Sequence, residues 1–298
     1  MPKRIPNSSA RTQQLFLKVG KIIALDGSRG ASPETVHDLR TTARRIETLI
    51  SAYSLNDRDS TKLAKQLASL RRRAGSLRDV DVHLAALDAI RLDNGVRDRA
   101  LLRKHLTKMR NKREKKLMRA LDKAVSKGIE KKMTRTEERL TTVSDGFRAT
   151  DYLGQALSKF RNLAESHPHL TEATLHRFRI DCKRIRYVAE ISSDPAAAKL
   201  VVSRLKSIQD AIGDWHDWLT LTEVATDVLP NTATGLMAAL RTHTRSKYNE
   251  AIRVCRDATR ELLAVHAAKT SPSAPSDRNG NRRKAADVPA QKDRPQAA

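Results

Sequence analysis

The sequence predicts an all-α protein: two four-helix bundles related by internal duplication and pseudo-twofold symmetry, followed by a disordered C-terminal tail. Three observations carry that expectation. Apolar residues recur at spacings of three and four along most of the 298-residue chain, the mark of amphipathic helices. Aromatic residues make up only 3%, and 11 Gly with 10 Pro are few for an all-β chain with many turns. Motifs of the first half also return in the second at a nearly constant offset, as expected of a duplicated helical unit.

Residues 1–10, with Pro2 and Pro6 among small polar residues, read as a flexible N-terminal arm. The first half follows over 11–132, opening with a helix at about 11–25. Ser32 as N-cap, Pro33 at the first helical position and Glu34 in the first turn start the next helix. Its apolar stripe is Val36, Leu39, Ala43, Ile46 and Ile50. A turn at Asn56–Ser60 leads to a second stripe of Leu63, Leu67, Leu70, Ala74 and Leu77. Asp93-Asn94-Gly95 then breaks the chain before a long basic helix at about 97–127. That helix keeps a seam of Leu102, Leu106, Met109, Leu117 and Ala120, with Arg113 standing where an apolar residue is expected.

Residues 133–148 read as a connector, and 149–267 as the second half. There Thr171 or Thr174 caps a helix carrying Leu175, Phe178, Cys182, Ile185 and Ala189. Asp194-Pro195 opens the next, with Val201, Leu205, Ile208, Ile212 and Trp215. Pro230-Asn231 ends it, and a last helix spans about 235–266. Residues 268–298 change composition, with Pro272, Pro275, Pro289 and Pro295 among Ser, Asp, Lys and Arg. They read as a disordered basic tail.

Charge narrows the function. The chain holds 58 Lys+Arg against 34 Asp+Glu, a net +24. Such a surplus repels itself unless it meets anions, so nucleic acid, an anionic membrane surface and polyphosphate are the partner classes to weigh. Two cysteines make no disulfide framework and suit a reducing compartment. No stretch approaches 18 consecutive apolar residues, so a cytoplasmic protein with no membrane partner is expected.

The repeat locates the cations. Val36-His37-Asp38-Leu39-Arg40 through Arg44-Arg45-Ile46 aligns with Leu175-His176-Arg177-Phe178-Arg179 through Lys183-Arg184-Ile185. Gly75-Ser76-Leu77-Arg78-Asp79 aligns with Gly213-Asp214-Trp215-His216-Asp217, and Leu102-Arg103-Lys104-His105 with Leu240-Arg241-Thr242-His243. His37, Arg40 and Arg44 form one stripe at the margin of the apolar seam, as do His176, Arg179, Lys183 and Arg186. With Arg45, Arg78, Arg103, Lys104, Arg184, His216 and Arg241 from the matched motifs, they make the candidate anion site. The competing reading pairs these cations with acids on neighbouring helices, such as Asp79 or Asp217. Repetition at matched positions favours the anion site.

Residues 97–132 hold 15 Lys+Arg and 4 Asp+Glu. That excess is too one-sided for salt-bridge lacing and reads as a face that meets a polyanion. No His or Cys pair has metal-ligand spacing, and there is no Gly-rich phosphate loop or G-x-S-x-G. No metal, cofactor or catalytic site is therefore expected, and His216-Asp217 reads as a structural pair.

These residues resemble the CHAD family, named for histidines on an α-helical scaffold. The resemblance is carried by His37-x-x-Arg40-x-x-x-Arg44-Arg45-Ile46 and Leu77-Arg78-Asp79-Val80-Asp81-Val82. In the second half it is carried by His176-x-x-Arg179-Ile180-x-x-Lys183-Arg184-Ile185-Arg186-Tyr187 and Ile208-Gln209-Asp210-x-x-Gly213-Asp214-x-His216-Asp217. It spans roughly 11–267, with departures at Thr41-Thr42, Trp215 and Trp218. It implies two four-helix bundles, a cationic central groove, non-enzymatic binding of inorganic polyphosphate and association with polyphosphate granules. The rival is a nucleic-acid-binding or nucleoid-associated protein. Residues 97–132 and the tail offer nucleic acid a weak, non-specific contact.

Overall fold

The computed structural model describes residues 8–24, 31–91, 96–144, 151–190, 192, 195–230 and 234–270, and among them every regular element is helical. In the first half these are α1 (Ser8–Ile23), α2 (Pro33–Ala52), α3 (Arg58–Ala89), α4 (Val96–Ser126) and α5 (Ile129–Ser144). In the second they are α6 (Tyr152–Ser166), α7 (Glu172–Glu190), α8 (Pro195–Val228) and α9 (Gly235–Thr270). The expected tail, 268–298, lies beyond the described residues except for the last turn of α9, and residues 1–7 of the expected arm lie outside them too.

Helix starts follow their cap chemistry. Ser32 Oγ accepts from the Thr35 amide at 3.1 Å ahead of Pro33, and Asp57 Oδ1 accepts from the Asp59 and Ser60 amides, both at 3.0 Å. Thr171 occupies the cap position of α7, while the Thr174 hydroxyl accepts from the Thr171 amide at 2.9 Å. Each bond satisfies a backbone donor or cap that the first helical turn leaves unpaired.

Among the described residues, apolar side chains gather into three cores. The first joins α1, α2, the N-terminal part of α3, the C-terminal part of α4 and α5. The second joins α6, α7, the N-terminal part of α8 and the C-terminal part of α9. Every expected stripe residue of α2, α3, α7 and α8 is buried in one of these, as are both cysteines. The third core is built where the halves meet. Val80 and Leu87 of α3 and Leu102 and Leu106 of α4 pack with Leu221 and Ala225 of α8 and Leu236 and Leu240 of α9. At the same joint His83 Nε2 lies 2.9 Å from Thr220 Oγ1. The four long helices thus each serve two cores, and α3 and α8 run through the middle of the molecule.

The stretch expected to be a connector is helical from Met133 to Ser144. Ile129, Met133, Thr136 and Leu140 recur at i, i+4, i+7 and i+11 and are all buried, a helical stripe that packs α5 against α1 and α3. Gly128, at φ +63°, takes the left-handed conformation that ends α4 and redirects the chain, a conformation glycine adopts without steric cost. The arm is also shorter than expected, since Ser8–Ala10 belongs to α1.

Candidate functional site

Two arginines at matched positions reach across the fold. Arg40 projects from α2 onto α3, its Nε 3.8 Å from where a Cβ on Gly75 would stand. Arg179 projects from α7 onto α8, its Nη2 only 3.0 Å from the corresponding position on Gly213. Its Nε donates to the Gln209 carbonyl at 3.1 Å. The absent side chain therefore matters at Gly213, where a Cβ would crowd the guanidinium, whereas at Gly75 a Cβ would stand at ordinary contact distance. A bidentate Arg71–Glu47 pair, at 2.8 and 3.0 Å, holds α3 to α2 beside them.

The stripes of the two halves meet through their long side chains. Arg44 Nη1 donates to the Tyr187 hydroxyl at 3.3 Å, and the Arg186 guanidinium sits 5.0 Å from the Tyr187 ring centre. His176 and His216 rings lie 5.1 Å apart. Burial, then the charges of Arg44, Arg179, Arg40 and Arg186, push Lys183 down to about 6. Burial likewise lowers Arg44 and Arg179, each also repelled by Arg40. One cationic neighbourhood thus draws on α2 and α7 together.

Its floor carries two carboxylates. Burial, followed by the charge of Asp79, pushes Asp217 up to about 6 despite the attraction of Arg179 and Arg40. Burial also raises Asp79, against the pull of Arg40, Arg113, His216 and Arg179. His216 is lowered by burial and by His176. Proximity does not become pairing. Among the described residues no carboxylate lies within 4 Å of the nitrogens of Arg40, Arg44, Arg179 or Lys183, whereas Arg71 and Arg186 pair with Glu47 and Glu190. The arrangement is a set of partly buried guanidinium groups beside an amine, with no carboxylate paired to them among the described residues, which favours anions able to accept several charge-assisted hydrogen bonds.

The other expected residues stand apart. His37, Arg45 and Arg241 are exposed, and Arg78 is half-buried on α3. Arg184 donates to Asp181 at 3.0 Å, and Arg103 pairs with Asp88. Arg103 and Lys104 line an open hollow on α4 with Lys108, Lys112 and Lys115. Sequence reasoning does not place Tyr187, Arg71 or Arg113 in the site. Tyr187 is adjacent to Arg186 in the repeated motif, and Arg113 is visible as a break in an apolar seam, so two of the three left a signal.

Paired helical units that share a central core and carry matched cation stripes define the class as an all-α scaffold built from two similar halves. The sequence matches the CHAD domain over residues 14–226, and the chain belongs to that family. Its fold is similar to the CHAD domain of the plant Ricinus communis, with TM-score 0.60 and 19% identity over 86% of this chain and 90% of that one. It is also similar to PptA from Streptomyces chartreusis, with TM-score 0.58 and 16% identity over 86% of this chain and 97% of that one. No curated protein matches the sequence. Among the described residues no helix is long and apolar enough to cross a membrane.

Proposed function

We propose that this protein binds inorganic polyphosphate, without turning it over, in a groove lined by the facing stripes of α2 and α7, and that it associates with polyphosphate granules in the cytoplasm. The observation that carries the reading is the convergence of Arg40, Arg44, Arg179 and Lys183 from both halves, with no carboxylate paired to any of them among the described residues. Family membership supports it, since CHAD domains are associated with polyphosphate. The ligand fits the chemistry. Polyphosphate is a flexible, base-free chain with about one charge per phosphate, matched by guanidinium forks without any aromatic platform, the Lys183 amine adding its charge as pH falls. Single-stranded nucleic acid favours stacking surfaces, and the one tyrosine here is engaged by Arg44 and Arg186.

Nucleic acid is the second reading, favoured by the open basic hollow that Arg103 and Lys104 share with Lys108, Lys112 and Lys115. Salt dependence does not separate the two, because both polyanions release counterions. Shape does. A groove that admits a single phosphate chain is expected to exclude a duplex, which would then reach only the outer faces. Fluorescence anisotropy with labelled polyphosphate and labelled duplex DNA, before and after deletion of 268–298, makes the test. Polyphosphate should win at equal charge concentration, and deletion should weaken DNA binding alone. DNA winning in the full chain, with polyphosphate binding lost on deletion, would replace this reading with the nucleic-acid one.

A further inference from the structure

The outer cleft between α3 and α4 is lined by cations on both walls. Lys65, Arg72 and Arg73 stand on α3, and Lys116, Arg119 and Lys123 on α4. They border two adjoining hollows of about 460 and 350 Å³ that share Ser69, Arg73 and Lys116. No carboxylate lines either hollow, and none of these six cations is ion-paired among the described residues. Small side chains at Ser69, Ala120 and Ala124 keep the cleft open. At its inner end stands Arg113, which donates to the Ser76 carbonyl at 2.6 Å and whose charge also acts on Asp79 at the floor of the central cluster. Arg113, which lines the cleft, and the Arg40–Arg179 pair thus act on the same carboxylate.

The second half provides an internal comparison. At the offset of 138 that relates the two long hairpins, Arg72, Ser76, Arg113, Lys116, Arg119 and Lys123 fall on Asp210, Asp214, Ala251, Val254, Asp257 and Glu261. There the α8–α9 surface is laced by Arg204–Glu261 and Lys247–Asp214 pairs. The fold thus accommodates neutral or acidic residues at every one of these positions, and packing does not account for the cations of the first half.

We infer that the α3–α4 cleft is a second anion site, a track that takes up a linear phosphate chain as it leaves the central cluster. The inference rests on the polyphosphate reading and extends it to one side of the molecule. From Arg113 to Lys123 the α4 wall is about 15 Å long at the rise of an α-helix, so only a chain that outruns the central cluster reaches it. No aromatic residue lines the cleft, so it offers bases nothing to stack on.

The test compares tripolyphosphate with long-chain polyphosphate on the full chain and on a triple variant of the α4 wall, Lys116→Ala with Arg119→Ala and Lys123→Ala. All three positions are exposed on a helix, where alanine is well tolerated. Long-chain affinity should fall roughly tenfold and its salt dependence become shallower, with tripolyphosphate affinity unchanged. The control triple Arg253→Ala, Arg256→Ala and Arg260→Ala on α9 removes equal charge and should lose little for either ligand. Unchanged long-chain binding, or a loss no greater than the control's, would overturn the track while leaving the central site intact. So would a variant that keeps long-chain polyphosphate but loses a single-stranded oligonucleotide. A wild-type chain that binds neither phosphate ligand would overturn the central reading itself.

Discussion

At Gly213 the space for one methyl group is taken by a guanidinium nitrogen 3.0 Å away, whereas at Gly75 the nearest atom of Arg40 is 3.8 Å away. The pair makes a controlled comparison. Alanine should gain about 1 kcal/mol of helix propensity at either position, but only at Gly213 must the arginine give way, by a few tenths of an ångström. Gly213→Ala should therefore weaken polyphosphate binding several-fold, and Gly75→Ala should leave it near wild type, by titration calorimetry of both variants. The titrating groups give a second expectation. Lys183 is pushed down to about 6 and Asp217 up to about 6. As pH falls through that region the amine gains its charge and the carboxylate loses its own, so both changes make the site more positive. Affinity should rise from about pH 8 to about pH 5, with proton uptake on binding, and Asp217→Asn should flatten the rise. An affinity independent of pH would remove Lys183 and Asp217 from the binding surface. Sequence periodicity places Arg40, Arg179 and Lys183 on one stripe each. It does not reveal that Arg44 reaches Tyr187 of the other half, because helical spacing fixes a face and not its partner.

The elements are legible in the sequence wherever an apolar stripe has a cap in front of it, as at Ser32 for α2 and Thr171 for α7. α5 escapes such a reading because its stripe of Ile129, Met133, Thr136 and Leu140 includes a threonine among many charges, which blunts the contrast between its two faces. The third core escapes it for a different reason. The C-terminal parts of α3 and α8 carry apolar residues that any bundle could bury, and only the tertiary structure assigns them to the joint between halves. That joint sets the placement of α3 and α8 beneath the site. Leu221→Ala, fully buried there, should cost about 2–5 kcal/mol in chemical denaturation. Leu200→Ala, at an exposed position of the same helix, should change stability by less than about 0.5 kcal/mol. Similar losses at both positions would contradict the placement of the third core.

Taken whole, the molecule combines a net charge of +24 with a site whose central cations come from both halves. Composition announces an anionic partner, and the repeat announces a duplicated scaffold. Neither shows that the acids expected as counter-charges, Asp79 and Asp217, sit close by without pairing to those cations, held toward their neutral forms by burial. The central claim is that these few cations, and not the surplus of charge at large, bind polyphosphate. It is tested most directly by the affinity of long-chain polyphosphate for the double variant Arg40→Ala with Arg179→Ala, set against Arg282→Ala with Arg283→Ala. Losing two charge-assisted contacts should cost the first variant about a hundredfold, with its helical circular dichroism retained and the second variant near wild type. Equal losses in the two variants would contradict the claim.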